Sequence, residues 1–91
     1  MDRIAKHIIF KGQVQGVGFR YTTHRIARRY DVTGFVRNVP DGTVEMLVQG
    51  TEQNVDACLA DLHDTMADYI RDMQVKSLPL NPQHSNFKIT F

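Results

Sequence analysis

The 91-residue chain has one cysteine, no tryptophan and no apolar run of membrane-spanning length. A single cysteine, Cys58, cannot form an internal disulfide, so the fold does not depend on oxidation. No basic segment followed by an apolar one opens the chain, which argues against a secretory leader. These absences predict a cytoplasmic protein without a membrane partner.

The usual signs of metal or nucleophile chemistry are also missing. No spacing among His, Cys, Asp and Glu is typical of a metal site, and no serine or cysteine has a partnered base nearby. The four histidines are scattered, and we interpret them as surface or strand-edge residues. Cys58 lies on the apolar stripe of a predicted helix, which indicates a core residue. We therefore expect no metal and no cofactor.

The composition is that of a globular protein, with 42% hydrophobic and 23% charged residues, and the length predicts one domain over residues 1–91. The net charge is only +1, but the positive and negative residues are unevenly distributed along the chain. Residues 1–38 contain eight Lys/Arg and two Asp/Glu, whereas residues 39–91 contain three and eight. The basic half indicates an anion site or a nucleic-acid face, although solvated charges explain Arg25, Arg28 and Arg29 equally well.

Hydrophobic periodicity predicts the order β-α-β-β-α-β with a short strand at the end. The predicted strands span residues 4–14, 32–39, 43–50, 70–78 and 87–91, and the predicted helices span residues 19–30 and about 51–66. Alternation places Ile8, Phe10, Gly12 and Val14 on one face of the first strand. Turn residues at Pro40–Gly42 predict a hairpin between the second and third strands. The fold class is α+β, a ferredoxin-like βαββαβ sandwich with two helices on one face of a mainly antiparallel four- to five-stranded sheet.

A glycine-rich bend, Gln15–Gly18, lies directly before Arg20 in the segment "KGQVQGVGFRYTTHR". Glycine permits positive φ and close approach of a ligand to the backbone, and amides at a helix N-terminus attract anions. Arg20 opposes the helix dipole in the first turn, and its guanidinium is suited to grip a phosphate. A tight turn with close helix-to-sheet packing explains the glycines equally well.

Two common phosphate-binding loops are excluded. The segment "GQVQGVGFR" lacks the Gly-Lys-Ser/Thr ending of a nucleotide-binding P-loop. The segment "GVGFRY" has tyrosine where a dinucleotide fingerprint requires its third glycine.

The segments "GQVQGVGFR" and "GFVRNVPDGTVEMLVQG" together resemble the acylphosphatase family. The resemblance is strong over Ile8–Gly50 and weaker beyond it, where the expected glycine-proline turn after the second helix is absent. It implies a hydrolase that cleaves the carboxyl-phosphate bond of small acyl phosphates to carboxylate and inorganic phosphate. By this resemblance Asn38 holds the attacking water, and Arg20 binds the phosphoryl group together with the backbone amides of Gln15, Gly16, Val17, Gly18, Phe19 and Arg20.

Two alternatives remain open at this level. The same topology builds RNA-recognition domains, but the third strand has no aromatic residue and the first offers only Phe10, so we expect no nucleic-acid partner. The second alternative is a non-catalytic domain that binds an acyl phosphate or carbamoyl phosphate. With no large apolar stripe left over, we expect a monomer.

Overall fold

The computed structural model describes residues 2–91, in which five strands and two helices occur. The strands are β1 (Arg3–Gly12), β2 (Thr33–Asn38), β3 (Val44–Thr51), β4 (Ile70–Leu78) and β5 (Phe87–Thr90), and the helices are α1 (Phe19–Arg29) and α2 (Glu52–Thr65). The order along the chain is the predicted one. Neither helix has the length and apolar character needed to cross a membrane.

The strands form one sheet in the order β4-β1-β3-β2-β5. β1 pairs antiparallel with β3 and β4, and β2 pairs antiparallel with β3 but parallel with β5. Both helices pack on the sheet and on each other, and their apolar stripes join the inward side chains of the strands in a single core. This arrangement confirms the predicted ferredoxin-like sandwich.

β1 is shorter than predicted at its C-terminal end. Ile8, Phe10 and Val14 are fully buried as expected, but the strand ends at Gly12, which is exposed. The pairing with β4 shifts register between Lys11 and Gly12, and the φ of Gly12 is +133°. The prediction that the strand and its alternation continue to Val14 is wrong, because the chain leaves the regular pleat at Gly12.

The β2–β3 hairpin closes as its turn residues predict. The Gly42 amide donates to the Val39 oxygen at 3.0 Å, and the Val39 amide donates to the Thr43 oxygen at 2.9 Å. Asp41 Oδ1 accepts hydrogen bonds from the Thr43 amide and hydroxyl at 3.0 and 2.7 Å. The short turn fixes the strand register, which pairs Asn38 with Val44 and Val36 with Met46.

The start and the inner face of α2 also follow the sequence pattern. The Thr51 hydroxyl caps the helix by accepting a hydrogen bond from the Asn54 amide at 3.1 Å. Cys58 is completely buried on the apolar stripe. Burial, together with the negative charge of Asp61, raises the pKa of its thiol to about 12. The interpretation of Cys58 as a core residue is confirmed.

Candidate active site

The glycine-rich loop between β1 and α1 uses two residues with left-handed backbone. Gly16 has a φ of +79° and Gly18 a φ of +74°, and no atom lies within 4 Å of a Cβ built at either position. The requirement for glycine is therefore conformational rather than steric, since L side chains rarely adopt this backbone. The result is an open loop whose backbone is accessible from outside.

The first turn of α1 leaves backbone donors unused. Gly18 is the N-cap without a side-chain capping bond, and the first turn contains no acidic residue. The Thr22 amide bonds to the Gly18 oxygen at 3.0 Å, but within residues 2–91 no backbone N–H from residue 15 to residue 20 donates to a protein acceptor. A row of free amides next to the positive end of a helix is suited to hold an anion.

Arg20 is the second residue of α1 and is partly buried. Its guanidinium carbon lies 4.9 Å from the ring centroid of Phe91. Within the described part of the chain, no carboxylate oxygen lies within 4.0 Å of the Arg20 guanidinium. The charge of Arg20 is therefore free to act on a ligand, and the ring of Phe91 supports one face of it.

Asn38 is the last residue of β2 and is partly buried. Its side chain lies on the same side of the strand as that of Val36, which is fully buried, as the sequence predicts. No hydrogen bond of the Asn38 side chain occurs within residues 2–91. The carboxamide is therefore held at a fixed strand end with its polar atoms unused.

One cavity of about 250 Å³ brings these groups together. Its lining residues are Val14, Gly16, Gly18, Phe19, Arg20, Tyr21, Asn38, Ile89 and Phe91. The set combines the glycine-rich loop, the start of α1, the end of β2 and the last strand, and it contains no acidic side chain. The geometry provides one planar cation, one carboxamide and adjacent free amides, and groups of these kinds are chemically suited to a tetrahedral anion and one water molecule.

Not every predicted site residue lies in the cavity. Gln15 and Val17 belong to the loop but do not line the cavity, and Gln15 turns its side chain toward the hairpin. Conversely, Ile89 and Phe91 line the cavity although nothing in the motif segments indicates them. β5 pairs in parallel with β2, Val36 with Ile89 and Arg37 with Thr90, and Phe91 follows directly, so the end of β5 reaches the cavity that Asn38 also lines. Only the strand pairing reveals this wall.

The structure argues against the RNA-recognition alternative, because the aromatic residue of the first strand is not exposed. Phe10 is fully buried, and its ring centroid lies 4.9 Å from that of Phe19 beneath α1. The one aromatic residue of β1 therefore packs in the core and is not available for stacking on a base.

Fold and cavity together define a class, a small α+β sandwich with a cavity at the start of its first helix that free backbone amides and one arginine adjoin. A sequence model of the acylphosphatase family matches residues 6–89. The chain belongs to the acylphosphatase family, a family of enzymes. It is 41% identical over 83 residues to the curated acylphosphatase of Oceanobacillus iheyensis, covering 89% of this chain and 91% of that protein.

Solved structures extend the comparison to three dimensions. The crystal structure of acylphosphatase from Bacillus subtilis superposes with a TM-score of 0.87 and 29% identity, covering 97% of this chain and 99% of that one. The crystal structure of HypF from T. kodakarensis gives a TM-score of 0.84 and 31% identity over 97% of this chain, but over only 12% of that chain. The same fold therefore also occurs as a small part of a much longer protein.

Proposed function

We propose that the protein hydrolyses the carboxyl-phosphate bond of small acyl phosphates to a carboxylate and inorganic phosphate. The observation that carries the proposal is the convergence in one cavity of the Arg20 guanidinium, the Asn38 carboxamide and the glycine-rich loop with its unpaired amides. The family membership of the chain supports the same activity.

In the proposed mechanism the phosphoryl group is held before it reacts. Two parallel N–H donors of Arg20 bind two phosphoryl oxygens, and the backbone amides of residues 15–20 bind the remaining charge. The same donors stabilise the equatorial oxygens as charge develops on them in the transition state. No Asp or Glu side chain lines the cavity, so no acidic side chain there opposes the ligand.

Asn38 is proposed to place the attacking water. Its carboxamide accepts one hydrogen bond from the water and leaves the oxygen in line with the scissile bond. The new bond forms between the water oxygen and phosphorus while the bond from phosphorus to the acyl oxygen breaks. The proton of the water passes to a phosphoryl oxygen, so no protein base is required.

The leaving group explains why so few side chains suffice. An acyl phosphate expels a carboxylate whose conjugate acid has a pKa of about 4, so departure needs no proton donor. A phosphate monoester expels a much more basic alkoxide and should be a far poorer substrate. The loose transition state of phosphoryl transfer also needs little push from a base.

Benzoyl phosphate hydrolysis, followed by ultraviolet absorbance with inorganic phosphate as competitor, tests this proposal. We expect turnover that phosphate inhibits competitively. Binding of phosphate without turnover would instead favour the non-catalytic alternative, a domain that binds acyl phosphate or carbamoyl phosphate.

The location and assembly of the protein belong to the same proposal. We propose a monomer that acts in the cytoplasm. The single cysteine is buried and unpaired, so the fold suits a reducing compartment. Sedimentation equilibrium of the full chain at several concentrations checks the monomer, and a mass that rises with concentration would contradict it.

A further inference from the structure

A second cleft lies on the surface of α1 beside the candidate active site. It has a volume of about 320 Å³ and is lined by Tyr21, His24, Arg25 and Arg28. These residues recur three and four positions apart, which places them on one face of the helix. Tyr21 lines both this cleft and the cavity that contains Arg20, so the two are adjacent.

The fold does not neutralise the positive charge of this cleft. Within residues 2–91, no carboxylate oxygen lies within 4.0 Å of Arg25 or Arg28, whereas Arg29 Nη1 lies 3.6 Å from Asp61 Oδ2. Arg28 lies in the last turn of α1, where a positive charge stabilises the helix dipole. Arg25 lies in the middle of the helix, is exposed and gains nothing from the dipole, so its charge remains available to a ligand in the cleft.

We propose that this cleft is a second anion-binding subsite, which binds a carboxylate or phosphate group on the acyl part of the substrate. The inference rests on the proposed acyl-phosphate hydrolysis and adds a substrate class to it, acyl phosphates that carry a second negative group. At the rise of an α-helix, His24 and Arg25 lie about 6–8 Å along the axis from Arg20, a span that a short acyl chain or one aromatic ring bridges. Tyr21 is 67% exposed between the two sites. Its ring is therefore available to contact the acyl chain or aromatic ring that bridges them.

Two stable monoesters test the subsite by binding alone. Phenyl phosphate and 4-carboxyphenyl phosphate differ by one carboxylate, and both are poor substrates under the proposed mechanism. We expect isothermal titration of the unsubstituted protein to show about tenfold tighter binding of 4-carboxyphenyl phosphate, since a charge-assisted hydrogen bond is of that order. The double variant Arg25→Gln/Arg28→Gln should remove this difference while changing phenyl phosphate binding by less than about twofold at physiological ionic strength.

A second double variant, Arg29→Gln/Arg71→Gln, is the matched control. It also removes two positive charges, but from outside the cleft, and should keep the preference for 4-carboxyphenyl phosphate. Equal binding of the two esters by the unsubstituted protein would overturn the subsite. An equal loss of preference in the cleft and control variants would overturn it too, because the effect would then come from the overall charge.

Benzoyl phosphate hydrolysis, measured in parallel, separates the subsite from the proposed function. Turnover of benzoyl phosphate without a preference for the carboxylated ester refutes the subsite alone. Binding of the esters without any turnover refutes the hydrolysis, and with it the substrate class inferred here.

Discussion

Nε2 of Gln15 donates a hydrogen bond to the backbone oxygen of Val39 at 2.8 Å, across 24 positions of sequence. The same nitrogen donates to the backbone oxygen of Thr43, also at 2.8 Å. Val39 and Thr43 are the residues that close the β2–β3 turn, and Asn38 precedes Val39 directly. One side chain therefore joins the glycine-rich loop to the strand end that carries the carboxamide of the site.

Replacing Gln15 by alanine should separate these two parts of the site. We expect Gln15→Ala to lower the free energy of unfolding by about 1 kcal/mol, since both bonds are solvent-exposed. It should also reduce kcat by about tenfold, because the water and the phosphoryl group would no longer be held in register. Gln13→Ala is the control, a change of an exposed glutamine in the same loop. Equal kcat values for the two variants would show that the Gln15 bonds do not position the site.

Arg20→Ala should abolish phosphate binding and nearly all turnover, because the cavity would lose its one planar cation. Arg20→Lys should recover little of the phosphate binding or turnover, since a point charge cannot form two parallel hydrogen bonds to a phosphoryl group. Phosphate inhibition constants and kcat/KM for benzoyl phosphate measure both effects. Recovery of most activity by lysine would mean that charge alone, and not the fork of donors, is required.

Asn38→Ala should separate catalysis from binding. We expect kcat to fall by roughly a hundredfold or more, because water placement is lost. The inhibition constant for phosphate should stay nearly unchanged, since the anion is held by other groups. Loss of phosphate inhibition with an unchanged rate would reverse the roles assigned to Asn38 and Arg20.

Removal of divalent cations should leave the rate unchanged. The proposed reaction uses a guanidinium and backbone amides where other phosphoryl-transfer enzymes use a metal ion. Within residues 2–91, no three His, Cys, Asp or Glu side chains lie close enough together to hold one. Turnover of benzoyl phosphate measured with and without EDTA checks this, and a steep loss with EDTA would contradict it.

Glu45 should make stability depend on acid pH. Burial alone would raise the pKa of its carboxyl, but hydrogen bonds and charge from His7 and Arg37 outweigh burial and hold the pKa below its usual 4.5. The His7 Nε2 lies 2.7 Å from Glu45 Oε2, and Arg37 Nε contacts the other oxygen. A carboxyl whose pKa is lowered by folding stabilises the folded state at any pH above its ordinary pKa. This contribution is lost as the pH falls through the pKa of the folded state.

Urea unfolding at a series of acid pH values tests this dependence. The free energy of unfolding should decrease less steeply below pH 4.5 in Glu45→Gln than in the unsubstituted protein. Asp68→Asn is the control, because the Asp68 carboxylate is exposed and has no contact with Glu45, His7 or Arg37. Identical pH profiles for Glu45→Gln and the unsubstituted protein would exclude the effect.

Most of the secondary structure follows from residues close together in sequence. The Pro40–Gly42 turn and the Thr51 cap form as predicted, because their hydrogen bonds join neighbouring residues. Asn38 lies on the same side of β2 as the buried Val36, as the sequence predicts, because the alternation of side chains along a strand is a local property. The predicted extension of the first strand to Val14 was wrong, because β1 ends where its pairing with β4 shifts register, and no local pattern contains that shift.

The composition of the site was only partly accessible from the sequence. The positions of Arg20 and Asn38 in one cavity agree with the motif, but their catalytic roles stay predictions. The bonds of the Gln15 side chain and the wall formed by Phe91 had no local signal, because their partners lie far away in the chain. Likewise, the sequence presents Arg25, Arg28 and Arg29 as equivalent charges, whereas only the packing of α1 against α2 brings Arg29 to Asp61.

The amino-acid order alone therefore specified the alternation of strands and helices, the tight turn and the left-handed glycines, since these depend on interactions over a few residues. Strand pairing decided what surrounds Asn38, and the packing of α1 against α2 decided which arginine of α1 lies near a carboxylate. Those contacts depend on register between segments distant in the chain, and register is set by the packing of the whole core.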